Sequence, residues 1–154
     1  MKLTYSIKIN SNIDTVFSYL QDPQKQKLWV VGMVDRSTLK KQKFDKGEPF
    51  LLKMGKGIET KEYKGYMLIN QYPTYQHFTI EIELGKLYID NIYLLQKTSE
   101  NTTKLNYIAD YRIKNLSAKI LMIINYPLFY IPFIKTSIAG QLKKLKKLAE
   151  EENI

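Results

Sequence analysis

The sequence predicts an α+β domain in which a curved antiparallel sheet of about seven strands wraps around a long C-terminal helix. Three observations lead to this fold class. Segments in which apolar and polar residues alternate recur along most of the chain, as in half-buried strands. Short turns rich in Gly, Asn and Asp join these segments, so successive strands run antiparallel. Near the C-terminus the apolar spacing changes to three or four residues, which is typical of a helix.

The start of the chain predicts one strand followed by two short helices. In MKLTYSIKIN every second residue is apolar, which indicates a strand rather than the long apolar core of a secretory signal. Ser11 and Asp14 form an approximate capping box, so a first helix is expected to begin there. Asp22 and Pro23 end that helix and open a second helical stretch over 24–29.

Six further strands are predicted, each bounded by turn-forming residues. They cover residues 34–41, 49–54, 62–70, 76–84, 87–97 and 104–113. The clearest is 76–84, in which Phe78, Ile80 and Ile82 share the face expected to point to the core. His77 is on the opposite face, so we expect it at the surface.

The C-terminal region predicts a short helix over 118–125 and then a long one. Pro127 and Pro132 place the regular part of the long helix after residue 132. An apolar stripe with helical spacing runs along it through Ile131, Ile134, Ile138, Leu142, Leu145 and Leu148. Lysines occupy the other faces, so this helix is expected to be amphipathic and to pack its stripe on the sheet.

Composition excludes several classes of site. The chain has 154 residues, of which 44% are hydrophobic and 25% charged, as in an ordinary globular protein, and we expect a single domain over 1–154. It contains no Cys and one His. A thiolate metal site, a site with several imidazoles and a Cys nucleophile are therefore excluded, and we expect neither a metal nor a cofactor.

The chain is strongly basic, with a formal net charge of +9. Such a charge suits nucleic acid, an anionic membrane or an acidic ligand. Nearly all the cations are lysines, however, and only Arg36 and Arg112 are arginines. Because arginine is preferred for bidentate recognition of bases and phosphates, sequence-specific nucleic-acid binding is not expected. An AT-rich coding sequence would enrich Lys, Ile, Tyr and Asn in the same way without any partner.

Several local sequences, in a consistent order, resemble one known superfamily. They are INSNIDTVF at 9–17, LQDP at 20–23, Trp29, GEPF at 47–50, NTTKL at 101–105 and LKKLKKLAE at 142–150. Together they resemble the START-like (Bet v 1-like, SRPBCC) superfamily over nearly the whole chain, in particular its bacterial polyketide cyclase/dehydrase-like branch. The resemblance implies a helix-grip fold with a deep apolar cavity between the sheet and the long helix. Its members carry lipids or isoprenoids, cyclise polyketides, sense hormones or assist chaperones, so the fold does not settle the function.

Aromatic residues predicted to face inwards are the main candidates for lining such a cavity. Tyr suits a ligand site because its ring is apolar while its hydroxyl can orient a polar group. The alternative is that these side chains simply fill the core. The candidates are Tyr5, Trp29, Phe50, Tyr63, Phe78, Tyr107, Tyr111, Phe129, Tyr130 and Phe133.

The apolar stretch 120–134 is too short, and too interrupted by prolines, to span a bilayer. It either forms a wall of the fold or acts as a gate, in which case 125–133 would close the cavity together with the loop 54–58. Lysines flank this stretch, so residues 119–135 could also contact an anionic membrane. We expect a cytoplasmic protein.

Acid–base chemistry has few candidates. Asp90 lies in a segment that is apolar on both faces, so its side chain could face the cavity, and it is the candidate catalytic carboxylate. Asp110 and Arg112 are expected to form a solvated ion pair on the outer face. His77 is expected to be a surface residue without a role.

The sequence therefore predicts a protein that binds a hydrophobic or amphipathic small molecule such as a lipid, isoprenoid or polyketide, with transport of that molecule as an extension of binding. Two alternatives stay open. One is a polyketide cyclase or dehydratase-type enzyme that uses an acid or base in the cavity. The other is a basic module that contacts RNA, the ribosome or a membrane surface.

Overall fold

Seven strands and three helices make up the described part of a computed structural model, which covers residues 1–39, 47–56, 58–84, 87–113 and 131–153. In chain order the elements are β1 (Lys2–Ile9), α1 (Ile13–Gln21), α2 (Pro23–Gln26), β2 (Met33–Thr38), β3 (Glu48–Lys56), β4 (Glu59–Tyr72), β5 (Tyr75–Leu84), β6 (Leu87–Ser99), β7 (Thr102–Ile113) and α3 (Ile131–Glu152). The strands form one antiparallel sheet in the order β1-β7-β6-β5-β4-β3-β2. The predicted α+β helix-grip fold is confirmed.

The first two helices differ in detail from the sequence prediction. The N-cap of α1 is Asn12, whose side chain accepts a hydrogen bond from the Thr15 amide at 2.8 Å. Ser11, expected to cap the helix, instead accepts from the Asn153 side chain at 2.7 Å, next to the end of α3. The second helix is shorter than predicted, because α2 ends at Gln26. The helix predicted over 118–125 lies outside the described residues.

The core lies between the concave face of the sheet, the two short helices and α3. As predicted from alternation, every second side chain of these strands points into the core. On β5 the side chains of Phe78 and Ile80 are buried, and on β7 those of Leu105 and Tyr107 are buried. Phe17 of α1 packs edge-on against Phe78, with ring centroids 6.2 Å apart. This end of the sheet is therefore filled by side chains.

Helix α3 is anchored by its C-terminal half. Leu142 and Leu145 are buried and Leu148 is partly buried, in agreement with the predicted apolar stripe, and Ala149 beside them is buried as well. Polar contacts reinforce this end: Glu150 accepts a hydrogen bond from the Asn10 amide at 2.7 Å, and Lys25 pairs with Glu152 at 2.8 Å. Residues 136–141 are partly or fully exposed. Within the described chain no helix is long and apolar enough to cross a membrane.

Candidate ligand-binding cavity

A partly open cavity of about 300 Å³ lies between the concave face of the sheet and α3, at the lower end of the usual range for small-molecule sites. Most of its wall is apolar or aromatic, because inward positions of β3, β5, β6 and β7 converge there. The apolar and aromatic lining residues are Trp29, Val30, Met33, Phe50, Leu52, Met54, Ile80, Ile82, Ile89, Tyr93, Tyr107, Tyr111, Ile138 and Leu142. Gln26, Asn91, Ser137 and Gln141 add polar groups.

Tyr93 stands at the centre of an aromatic cluster on this wall. Its ring centroid lies 6.1 Å from that of Trp29, 6.0 Å from that of Phe78 and 5.0 Å from that of Tyr107. The Trp29 ring is edge-on to Tyr93, and its indole nitrogen donates to the Tyr19 carbonyl at 2.8 Å. Edge-to-face and tilted contacts of this kind hold the rings in defined orientations. The cluster gives the cavity a rigid aromatic side.

The phenols of the cluster are neutral. Burial raises the pKa of Tyr93 and that of Tyr107 well above the usual value for tyrosine. The Tyr107 hydroxyl donates to Asn91 Oδ1 at 2.6 Å, which orients both side chains along the wall. These tyrosines can therefore donate or accept hydrogen bonds, but they supply neither a charge nor a base at neutral pH.

A second cavity, of about 510 Å³, lies on the other side of the same wall. It is lined by β1, β7 and the N-terminal half of α3, and it shares Tyr107 and Ile138 with the first. Lys143 and Gly140 contribute to its α3 side. The walls of the two spaces therefore have Ile138 of α3 and Tyr107 of β7 in common.

Half of the residues predicted from the sequence to bind the ligand line one of these two cavities. Trp29, Phe50, Tyr107 and Tyr111 line the first cavity. Tyr5 lines the second, together with Tyr107. All five owe their position to strand alternation or, for Trp29, to the turn after α2.

Of the other five predicted residues, the two whose side chains the structure describes, Phe78 and Tyr63, line neither cavity. Phe78 is completely buried between Phe17 and Tyr93, so it is a core residue. Tyr63 is partly buried against the core on β4. Phe129, Tyr130 and the side chain of Phe133 lie outside the described residues, as does most of the gate predicted over 125–133.

Asp90 does not face the cavity, so the expectation of a catalytic carboxylate at this position is wrong. Its neighbours Ile89 and Asn91 point inwards, and alternation turns Asp90 to the opposite face. There it accepts a hydrogen bond from Arg112 at 2.8 Å. Arg112 also pairs with Glu81, whereas Asp110 pairs with Lys2 and the N-terminus. The predicted Asp110–Arg112 pair is thus replaced by two separate outer-face clusters.

Tyr93, Asn91 and Gln26 are among the lining residues that the sequence analysis missed. Tyr93 and Asn91 lie in the strand whose two faces are both apolar, so the pattern did not reveal its register. The one local indication of the register was the pair of adjacent polar residues Asp90 and Asn91. Because neighbouring side chains on a strand point to opposite faces, an outward Asp90 requires an inward Asn91. Gln26 carries no sequence signal at all, because a glutamine in a short helix is normally exposed.

Arg36 is a buried cation beside the cavity. Its Nη2 donates to the Gln21 carbonyl, and its guanidinium lies over the Phe78 ring, 5.6 Å from the centroid. Burial lowers the pKa of Arg36 to about 10, although Asp22 and Tyr93 act in the opposite direction. The guanidinium therefore stays protonated at neutral pH. Arg36 does not itself line the first cavity. It fastens β2 to the end of α1 through the hydrogen bond and a cation–π contact.

The titration of His77 should link stability to pH in the neutral range. His77 lies on β5 with one ring nitrogen 2.6 Å from the Thr79 hydroxyl, and burial lowers the pKa of its imidazole below the ordinary value of 6.5. Above that pH the imidazole is neutral in both the folded and unfolded states. As the pH falls through 6.5, the unfolded chain takes up the proton first, so stability should fall.

We therefore expect acidification from about pH 7 to about pH 5 to lower the urea midpoint of the wild type more than that of His77→Gln. Because His77 is the only histidine, the difference between the two slopes isolates this group from the titrating carboxylates. Identical slopes for the two proteins would show that the imidazole is equally easy to protonate in both states.

Known proteins resemble this chain in three-dimensional structure rather than in sequence. No protein-family model matches the sequence, and no curated protein matches it. A START superfamily protein from Mycobacterium smegmatis superposes with a TM-score of 0.62 at 12% identity, covering 98% of this chain and 95% of that protein. Norcoclaurine synthase from Thalictrum flavum, in complex with dopamine and hydroxybenzaldehyde, gives 0.61 at 13% identity, covering 98% and 87%.

The di-domain ARO/CYC protein BexL is also similar, with a TM-score of 0.68 at 14% identity. The similarity covers 96% of this chain and 45% of BexL, as expected if one of its two domains is matched. These proteins share the arrangement of a curved antiparallel sheet, two short helices and a long C-terminal helix. The chain therefore has the START-like (Bet v 1-like) fold, with the apolar cavity between sheet and helix that the resemblance implied.

Proposed function

We propose that this protein binds one hydrophobic or amphipathic small molecule in the cavity between the sheet and α3. The observation that carries the proposal is the wall itself, in which aromatic and aliphatic side chains surround about 300 Å³ of space. Each Å² of apolar ligand surface that leaves water contributes ~25 cal/mol to binding. The few polar groups on the wall would orient the ligand rather than supply most of the affinity.

The direct test is titration with the apolar fluorophore N-phenyl-1-naphthylamine, whose emission rises in apolar surroundings. We expect saturable binding at one site per chain. Ile89 lines the cavity on β6, so Ile89→Trp should fill part of it and weaken binding at least about tenfold. The variant should remain folded, because the larger side chain enters existing space.

Ile92→Trp is the matched control. It makes the same substitution on the same strand, but Ile92 lies on the outer face, opposite the inward-facing Asn91 and Tyr93. The fluorophore should bind this variant as tightly as the wild type. Equal affinity in Ile89→Trp and Ile92→Trp would contradict binding in this cavity.

Native mass spectrometry of the freshly purified protein, followed by organic extraction, would identify a natural ligand. A stoichiometric adduct that is released by the solvent supports carriage of a lipid, isoprenoid or similar compound. The same measurement on Ile89→Trp should show the adduct lost or reduced.

A cyclase or dehydratase-type enzyme is the second candidate. The hydrogen-bonded pair of Tyr107 and Asn91 favours it, because it holds an oriented phenol on the cavity wall. Two of the structural neighbours carry names of such activities, an ARO/CYC protein and a synthase. Under this hypothesis the purified protein has a clean apo mass, and Tyr107→Phe abolishes turnover while retaining fluorophore binding.

A further inference from the structure

The second cavity differs from the first in the charge of its wall. Its apolar and aromatic lining residues are Leu3, Tyr5, Tyr107, Ile138 and Ala139, and Thr4, Thr136 and Gly140 also line it. Lys143 of α3 is the one charged residue among the described residues around this space. The described wall of the first cavity contains no Lys, Arg, Asp or Glu. A molecule in the second cavity therefore meets a cation that a molecule in the first does not.

Lys143 is in no ion pair within the described chain, unlike the next lysines of the same helix. Lys146 pairs with Glu150 at 3.7 Å, and Lys147 pairs in the same way with Glu151 at 3.8 Å. No residue three or four positions away from Lys143 is acidic, so α3 cannot supply such a pair to it. The side chain of Lys143 is exposed. Its ammonium group is therefore accessible to a molecule in the second cavity.

The shape of this site suits a molecule with a long apolar part and one charged end. Its volume of about 510 Å³ is within the usual range for small-molecule sites. Burial of the apolar part against Tyr5 and Ile138 would supply most of the affinity. Because Lys143 is exposed, the charged end can pair with it while staying in contact with water, which avoids the cost of burying an ion.

We propose that the second cavity is a separate binding site for an amphipathic carboxylate such as a medium-chain fatty acid, with the carboxylate paired to Lys143. One lysine matches the single negative charge of a carboxylate. The apolar chain lies between β1 and α3. This site is distinct from the cavity of the proposed function, and neither depends on the other.

Isothermal titration calorimetry with decanoate and decan-1-ol at neutral pH and low salt tests the charged end. Lys143→Glu replaces the attraction by a repulsion, so we expect it to weaken decanoate binding about fivefold and to affect the uncharged alcohol much less. The difference between wild type and Lys143→Glu should narrow in about 0.5 M sodium chloride, because salt screens exposed charges.

Lys144→Glu is the matched control, because the chain has a formal net charge of +9 that attracts any anion. It makes the same change of charge at the adjacent exposed residue, which lines neither cavity. We expect this variant to lose less than about twofold in decanoate affinity. Thermal melts verify that both variants are folded.

Gly140→Leu tests where the chain of decanoate binds. Gly140 lines the second cavity, and beyond its own helix no described atom lies within 4 Å of an added Cβ, so the leucine can enter the space without a clash. It should weaken decanoate binding at least about fivefold. Lys144→Leu adds the same side chain to the same helix outside both cavities, and it should bind decanoate as the wild type does.

The outcomes separate this site from the first cavity. Absence of saturable decanoate binding to the wild type would overturn the proposal. Equal losses in Lys143→Glu and Lys144→Glu would show that net charge attracts the anion and that Lys143 is not its partner. Unchanged decanoate affinity in Gly140→Leu would place the molecule elsewhere and overturn the assignment to this cavity. The fluorophore titration of Ile89→Trp reports on the first cavity, so either site can fail without the other.

Discussion

Gly65→Ala is expected to destabilise the protein by about 2 to 4 kcal/mol, one of the largest effects of a single methyl group in this chain. Gly65 lies on β4, paired with Phe50 of β3 on one side and Ile82 of β5 on the other. A Cβ at this position would overlap the carbonyl oxygen of Glu81 and lie 2.5 Å from Cζ of Phe50. Because the backbone oxygen belongs to the sheet, the strain can be relieved only by separating β4 from β5.

The same substitution bears on the cavity. Phe50 is buried and lines the cavity, so a methyl group that displaces its ring reduces the space for a ligand. We expect Gly65→Ala to bind N-phenyl-1-naphthylamine more weakly even where it is still folded. Urea unfolding followed by circular dichroism gives the stability change, and the fluorescence titration gives the affinity.

Gly140→Ala is the matched control for this prediction. Gly140 lies in α3. Apart from its chain neighbours and the nearby backbone of the helix itself, no atom of the described residues lies within 4 Å of an added Cβ. Alanine is the better helix former, so this variant should be more stable than the wild type by about 0.5 to 1 kcal/mol. Opposite signs for the two glycine variants are expected. A stable Gly65→Ala would contradict the close approach of the strands at this point.

Leu145→Ala is expected to cost about 3 kcal/mol of unfolding free energy. Leu145 is completely buried in the half of α3 that packs on β1 and α1. Truncation removes apolar contacts. It also leaves a cavity, because other interactions, among them the Lys25–Glu152 pair, keep the surrounding elements from closing it. Because this half of α3 anchors the helix, its loss should also loosen the wall formed by Ile138.

Lys144→Ala is the neighbouring control for this prediction. Lys144 is exposed, and a surface substitution in a helix should change the stability by no more than about 0.5 kcal/mol. Chemical denaturation of the two variants side by side measures the difference. A cost below about 1 kcal/mol for Leu145→Ala would contradict the packing of α3 described above.

The fold could be predicted from the sequence because it depends on local patterns. Alternation with a period of two, together with the turn-forming residues between segments, identified all seven strands, and the stripe through Leu142 and Leu145 identified α3. The resemblance to START-like proteins rested on residues in turns and at helix ends, and the structure confirms the fold it implied. The boundaries of the short elements were less accurate, because capping at Asn12 depends on which neighbouring side chain is free.

The cavity was only partly predictable, and the reason is physical. Alternation shows that a side chain faces inwards, as for Phe50, Phe78 and Tyr107, but not whether another element covers it. Phe78 became a core residue because Phe17 of α1 packs on it. Phe50 and Tyr107, which alternation places on the same inward side, line the cavity instead.

The sequence by itself determined the fold class, the order of the strands along the chain, the inward faces of most of them and the absence of cysteine. The tertiary structure alone decided the register of β6, which turned Asp90 outwards and Tyr93 inwards, since both faces of that strand are apolar. It alone decided that Gln26 is buried at the cavity wall. Such features arise from the packing of elements distant in sequence, and no local pattern encodes them.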